Sequence, residues 1–258
     1  MGSRDGLAQV IGRIAGINHG YLKDSEVQRL RFRQASVATR MGWMAGWTTT
    51  RVEDIAYSLL GIFDVSITPR YGEGHKAFSR LQETLLGSSN SFDELLFAWK
   101  VPGGGQLKCF KTRTSIPVFS DTKWGLLAPS PDCFQRSGDI VIVHDKVKQR
   151  LQAGFQRTHQ GIAITLPYPE VRSTTTGSYK WAISFPLNCW RIENGQRATI
   201  VLDLTRDSGG AYQRTECGRL KSNSGASVGG TSSKRTFGID QGTMYMTPVT
   251  IAQPQWNK

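Results

Sequence analysis

The sequence predicts an α+β protein: a helical amino-terminal region over residues 1–100, then an antiparallel β-rich domain over 101–258 that is sandwich-like or barrel-like. In the first hundred positions apolar residues recur at the three-to-four spacing of a helix face. After Phe92 they fall into short alternating or continuous runs parted by Gly, Pro, Ser and Asn clusters. A Pro-Gly-Gly-Gly run at 102–105 lies between the two textures and is expected to be the hinge.

The first helix is expected after Asp5 as N-cap, with Leu7, Val10, Ile11 and Ile14 on one stripe and Gly16 as its stop. A basic stretch, EVQRLRFRQ, precedes a second helix from near Ser36, which carries Val37, Arg40, Met41 and Met44 on successive turns. Thr50 and Glu53 have capping-box spacing, which predicts a third helix from Arg51 with the stripe Val52, Ile55, Ala56, Leu59, Leu60 and Phe63. Pro69 prevents its continuation. A fourth helix is expected from about Gly74 to Leu86, with Phe78, Leu81 and Leu85 facing inward and Gly87 closing it. The β-type runs are LLFAW, DIVIV, GIAITL, YKWAISF, ATIVLDL, YQRTECGRL and TMYMTPVTI, and PSPDCFQRSGD reads as one helical turn leading into a strand. The low-complexity segment 222–235 is expected to be a mobile loop.

Composition narrows the function classes. Hydrophobic residues are 38% and charged residues 20%, an ordinary globular balance, and no run approaches the ~20 apolar residues of a membrane span. The opening MGSRDG has no apolar stretch behind it, so the expected address is cytoplasmic, with the nucleus as alternative. Residues 1–100 hold 12 basic and 10 acidic residues, whereas residues 101–258 hold 20 and 10, so the positive excess sits in the β half. Such an excess attracts polyanions. Trp181, Trp190 and Tyr212 lie near Lys180, Arg191 and Arg214, the interleaving that base stacking requires, although alternation in an ordinary strand produces the same pattern.

No motif assembles a reactive centre. Cys109, Cys133, Cys189 and Cys217 form no Cys-x-x-Cys pair and are expected to be buried free thiols. His19, His75, His144 and His159 are scattered, so neither a metal nor a cofactor is expected. His144 and Asp145 are adjacent at a strand end and so point to opposite faces. That leaves the turn around Tyr71, Glu73 and His75, flanked by Arg70 and Lys76. One reading makes Glu73 an acid or base. The simpler reading makes the turn a joint: Gly72 and Gly74 permit unusual backbone angles, Tyr71 packs over the helix pair, Glu73 favours a helix N-terminus, and Arg51 pairs with a carboxylate. A carboxylate without a base partner favours the joint.

These residues also carry a resemblance. The runs Ser36–Trp43 (SVATRMGW), Thr49–Val65 (TTRVEDIAYSLLGIFDV) and Tyr71–Glu83 (YGEGHKAFSRLQE) resemble, in order and nearly without gaps, the segment after the core of the fungal heterokaryon-incompatibility (HET) domain. LAQVIGRIAGI is similar to a helix of that family, and WGLLAPSPDCF, GIAITLP and FPLNCW resemble the β-rich extension of basidiomycete-type members. The resemblance singles out Arg51, Glu53, Asp54, Tyr57, Tyr71, Gly72, Glu73 and Gly74 as motif residues with an expected structural role. Gly42 and Trp47 depart from the small polar and basic residues usual there. The W-x-D-x-x-C-I and R-G-W-T-L-Q-E-L motifs of the HET core, which is compared with TIR-type domains, are not in the 258 residues. The resemblance therefore implies a structural and interaction module in nonself recognition whose partners are other protein domains and whose effector core is absent. A basic β module binding nucleic acid or another polyanion is the alternative, and a TIR-like NAD-type nucleotide hydrolase a more remote one. No enzyme activity is expected.

Overall fold

The computed structural model describes residues 4–15, 17, 21–22, 35–88, 97–100, 123–135, 137–142, 156–158, 161–166, 171–175, 178–193, 195–206, 210–215, 221–223 and 247–252. Helices come first and strands follow, an α+β arrangement. The chain divides into two compact units, Met1–Val118 with Ala128–Ile140, and Phe119–Leu127 with Val141–Lys258. Among the described residues no helix is long and apolar enough to cross a membrane.

The first unit contains helices α1 (Arg4–Ala15), α2 (Val37–Gly42), α3 (Asp54–Ser58), α4 (Leu60–Phe63) and α5 (Lys76–Ser88). Asp5 lies inside α1 rather than capping it. The expected stripe is present but turned outward: Leu7, Val10, Ile11 and Ile14 are 42–69% exposed, while Ala8 is buried. Periodicity identifies the helix, and only packing decides which face is covered. In α2, Ser36 is the N-cap, its Oγ accepting from the Thr39 amide at 3.0 Å. Val37, Met41 and Trp43 are buried. α5 starts at Lys76, later than Gly74, and runs past Gly87, burying Phe78 and Leu81 while Leu85 stays half-exposed.

The LLFAW run is a correction. Phe97, Ala98 and Trp99 are fully buried but form no strand, because a short buried apolar run looks the same in either kind of structure. The 128–140 segment belongs to this unit. Pro131–Phe134 forms a 3-10 turn capped by Ser130, whose Oγ accepts from the Asp132 amide, and a strand follows at Val141, as PSPDCFQRSGD predicts. The turn approaches α2 so closely that a Cβ on Gly42 would sit 2.6 Å from the Phe134 carbonyl oxygen.

Among its described residues the second unit is one sheet of ten strands. Its long elements are β6 (Ser178–Glu193) and β7 (Gln196–Arg206), joined through two residues and paired antiparallel from Ala182/Thr205 to Glu193/Gln196. Gly195 in the connection has φ +75°, a value that suits glycine in a two-residue hairpin. The register shifts between Pro186 and Trp190, where proline has no amide to offer the ladder. Along β7, Ala198, Ile200, Leu202 and Leu204 are buried and alternate with half-exposed neighbours. On the β6 edge lie β2 (Val141–Ile142) and β5 (Val171–Thr175); on the β7 edge lie β8 (Tyr212–Thr215) and β9 (Lys221–Asn223). Beyond β8 come β10 (Thr247–Ala252), β4 (Gly161–Leu166) and β3 (Gln156–Arg157), and β1 (Lys123–Trp124) pairs with β8.

The β8–β10 contact is parallel, the exception among pairs otherwise antiparallel. Among the described residues the strands share one sheet, an open path from β2 to β3. Ser222 and Asn223, placed by composition in a loop, belong to β9, where they pair with β7. Residues 224–235, the glycine run at 102–105, the EVQRLRFRQ stretch, His144, Cys109 and Cys217 lie outside the described residues. Cys133 and Cys189 are buried.

Gly42→Ala is expected to destabilise the first unit by about 1–3 kcal/mol through overpacking, read as a lower urea midpoint. Gly61→Ala, in α4 with open space around it, is the control and should not destabilise it.

Candidate functional site: the polar corner between the helices

The third helix does not form as predicted, and the reason defines the site. Thr50 and Glu53 make no capping box. Glu53 is itself the N-cap of α3 and gives it no side-chain hydrogen bond. Its carboxylate turns away to the Tyr71–Gly74 turn, where Oε1 accepts the Gly72 amide at 2.7 Å and the Gly74 amide at 3.0 Å. Both amides point there because Gly72 and Gly74 adopt φ of +94° and +57°, in a region costly for residues with a Cβ. The expected helix is also divided into α3 and α4 at Leu59, whose amide donates to Ala56 O at 3.2 Å while the Ser58 hydroxyl donates to Ile55 O, and it ends at Asp64, a non-glycine residue at φ +55°.

The other motif residues gather at the same turn. The Tyr57 hydroxyl accepts the Arg70 amide at 2.6 Å; its proton lies within reach of the Arg70 carbonyl at 3.0 Å and Glu73 Oε1 at 3.3 Å. Glu73 Oε1 also receives Arg80 Nη2 in an ion pair, and Arg80 Nη1 donates to the Thr68 carbonyl at 2.8 Å. Tyr71 is exposed, its hydroxyl donating to Asp54 Oδ1 at 3.0 Å and its ring edge-on to Tyr57. The Arg51 guanidinium lies 4.9 Å from the centre of the Tyr71 ring instead of on a carboxylate. All eight residues singled out by the sequence therefore meet at one corner, with Glu53 rather than Glu73 binding the turn's amides.

Side chains the sequence reading passed over extend this pattern. Gln82 is fully buried; its amide accepts from the Ala128 N–H and donates to the Ala128 carbonyl, both at 2.9 Å. Asp132 Oδ1 accepts the Gly46 amide at 2.6 Å, Thr39 donates to the Ser137 carbonyl, and Arg40 donates to Ile62 O while lying over Phe63. Arg80 and Gln82 lie within the quoted YGEGHKAFSRLQE run; what was not legible was the distant backbone each one serves.

The electrostatics follow from this geometry. Burial acts to raise the Glu53 pKa, but hydrogen bonds from the amides of Glu53, Gly74 and Gly72, with the charge of Arg51, outweigh it and hold the carboxyl below its ordinary 4.5. Burial lowers His75 below 6.5, against the opposing pull of Glu53. The hydrogen bond to Asp54 raises Tyr71, with the Asp54 charge acting in the same direction and the Arg51 charge against it. Among the described residues no group of three or more His, Cys, Asp and Glu side chains could hold a metal ion. The arrangement offers two engaged carboxylates and a phenol held protonated.

Glu53→Gln is expected to cost about 1–3 kcal/mol, the range of a charge-assisted hydrogen bond left incomplete. Gly72→Ala has space for its methyl but a forbidding φ, and is expected to cost about 1–2 kcal/mol. His75 and Glu53 both bind protons more tightly unfolded than folded, so acid favours the unfolded chain. Stability is complete above pH 6.5, falls first through His75 and then, below 4.5, through Glu53. Hydrogen exchange over 37–88 from pH 8 to 3 checks this; His75→Gln should remove the upper stage alone, and a profile flat from pH 7 to 5 contradicts it.

One curated relative was found at this level of similarity. A stretch of 86 residues, 33% of this chain, is 43% identical to the vegetative incompatibility protein HET-E-1 of Podospora anserina. The match covers 6% of that relative's length. No family model matches the chain, and no solved structure matches it. A third of the chain is thus related to a vegetative incompatibility protein.

Proposed function

We propose that this chain is a structural and interaction module of fungal heterokaryon (vegetative) incompatibility, a form of nonself recognition that ends in regulated cell death. The observation that carries this reading is the 43% identity to an incompatibility protein over 86 residues. The polar corner supports a structural role: Glu53 and Glu73 are both engaged by donors of their own chain, backbone amides for the first and Arg80 for the second. It acts as a joint that fixes α3 against α5, and the module is not itself an enzyme.

Its partner is the HET effector core, whose motifs lie outside these 258 residues. We place that core on the outward stripe of α1, where Leu7, Val10, Ile11 and Ile14 are exposed although their spacing is that of a packing face. The setting is cytoplasmic or nuclear.

Reconstitution tests this. Expressed alone in a fungal host, the chain is expected not to kill, and to capture the HET core of a full-length relative when the two are co-expressed. Ile11→Glu with Ile14→Glu should abolish capture while leaving the chain's thermal unfolding unchanged, since both side chains are exposed. Killing by the chain alone, or NAD turnover by the purified chain, would contradict the module reading.

A further inference from the structure

The strand register divides the sheet into two unlike faces. One carries Ala198, Ile200, Leu202 and Leu204, all buried. Tyr212 and Arg214 are also buried, at 3% and 2% exposure, so neither can meet a ligand from solvent. This corrects the sequence-based stacking surface: of its six residues, these two drop out, and the register sets Trp181 and Arg191 on the same covered face, the first beside Ile183 opposite Leu204 and the second opposite Ala198.

The opposite face differs in chemistry. Trp190 pairs with Thr199 and Ile192 with Arg197, which makes Arg197 the diagonal neighbour of Trp190. The exposed Arg197 guanidinium lies over the half-buried indole, 4.5 Å from its centre. The register also places Lys180 on this face, since it is two residues from Ala182, opposite Thr205. It places Lys221 there opposite Val201, and Lys123 there opposite Thr215. Among the described residues of this face Asp203 is the acidic one, set opposite Ser184.

We infer that this face of the sheet binds single-stranded nucleic acid, with the Trp190–Arg197 stack taking a base and the positive excess of residues 101–258 drawing in the phosphates. The two features serve different parts of one ligand. A guanidinium held over an indole sets a cation and an aromatic ring side by side for a base, and base stacking of this kind tolerates any sequence. A base-free polyanion uses the charges but not the stack. The positive excess of residues 101–258 steers such a ligand to this half of the molecule. The site is independent of the incompatibility reading, and either can fail without the other.

The test is binding of the full chain to a labelled oligothymidylate, with heparin as the base-free comparison. Binding is expected to quench tryptophan fluorescence and to weaken steeply between about 50 and 200 mM salt. Arg197→Gln and Trp190→Phe should each weaken oligothymidylate binding, roughly tenfold for the first, with heparin binding changed less than twofold. Arg70→Gln, an exposed arginine of the other unit, should leave both unchanged. Circular dichroism matching the parent confirms that the variants fold, and Arg197→Gln removes only an exposed side chain. No binding at low salt, or oligothymidylate binding insensitive to both sheet variants, overturns the inference.

Discussion

The helical unit depends on one buried carboxylate. Glu53 is only 6% exposed and sits in the turn that leads into α3, yet it serves a second turn about twenty residues further on. A buried carboxylate is costly unless donors surround it. Here the donors are backbone amides, which cannot swing away as a side chain can, and glycine makes their inward orientation affordable. The interaction therefore holds two segments in register: the entry to α3 and the turn that launches α5. Tyr57 and Arg80 brace the same turn from either side, through Arg70 and through Glu73 and Thr68.

The reason for so polar a corner lies in the length of the elements. α2, α3 and α4 have six, five and four residues. A helix leaves four amides and four carbonyls unsatisfied at its ends, so helices this short are nearly all end. Side chains from elsewhere must complete them. Ser36 does so at the start of α2, and Arg40 reaches Ile62 O in α4 while covering Phe63. Gln82 and Asp132 do the same for backbone outside the helices, at Ala128 and Gly46. The sheet solves its problem differently. Its long hairpin closes its own ladder, and polarity is sorted by face.

This contrast explains what the sequence made legible. Periodicity located α1, α2 and α5, and β-type runs located β4, β6, β7 and β10, because each signal lies within the element that produces it. Glu53 was misread because the local rule for T-x-x-E looks three residues back, whereas its partners are Gly72 and Gly74. The direction of the α1 stripe was illegible for a related reason, since its spacing is the same whichever side is covered. The Asn194-Gly195 pair is a hairpin signal in plain view. The runs YKWAISF and ATIVLDL stop short of it on both sides, at Phe185 and Ala198, whereas the strands reach Glu193 and Gln196. Tyr212 and Arg214 looked like a binding pair because their spacing of two reveals that they share a face, not whether that face is buried.

Amide hydrogen exchange at Gly72 tests the central claim most directly. Gly72 is exposed, so an unconstrained turn would leave its amide exchanging like an unstructured peptide. If the Glu53 carboxylate holds that turn, the Gly72 and Gly74 amides exchange as slowly as those of α5 near neutral pH and lose protection together as Glu53 is protonated. Free exchange at Gly72 while α5 remains protected would show that the corner is assembled without this carboxylate, and would contradict the account.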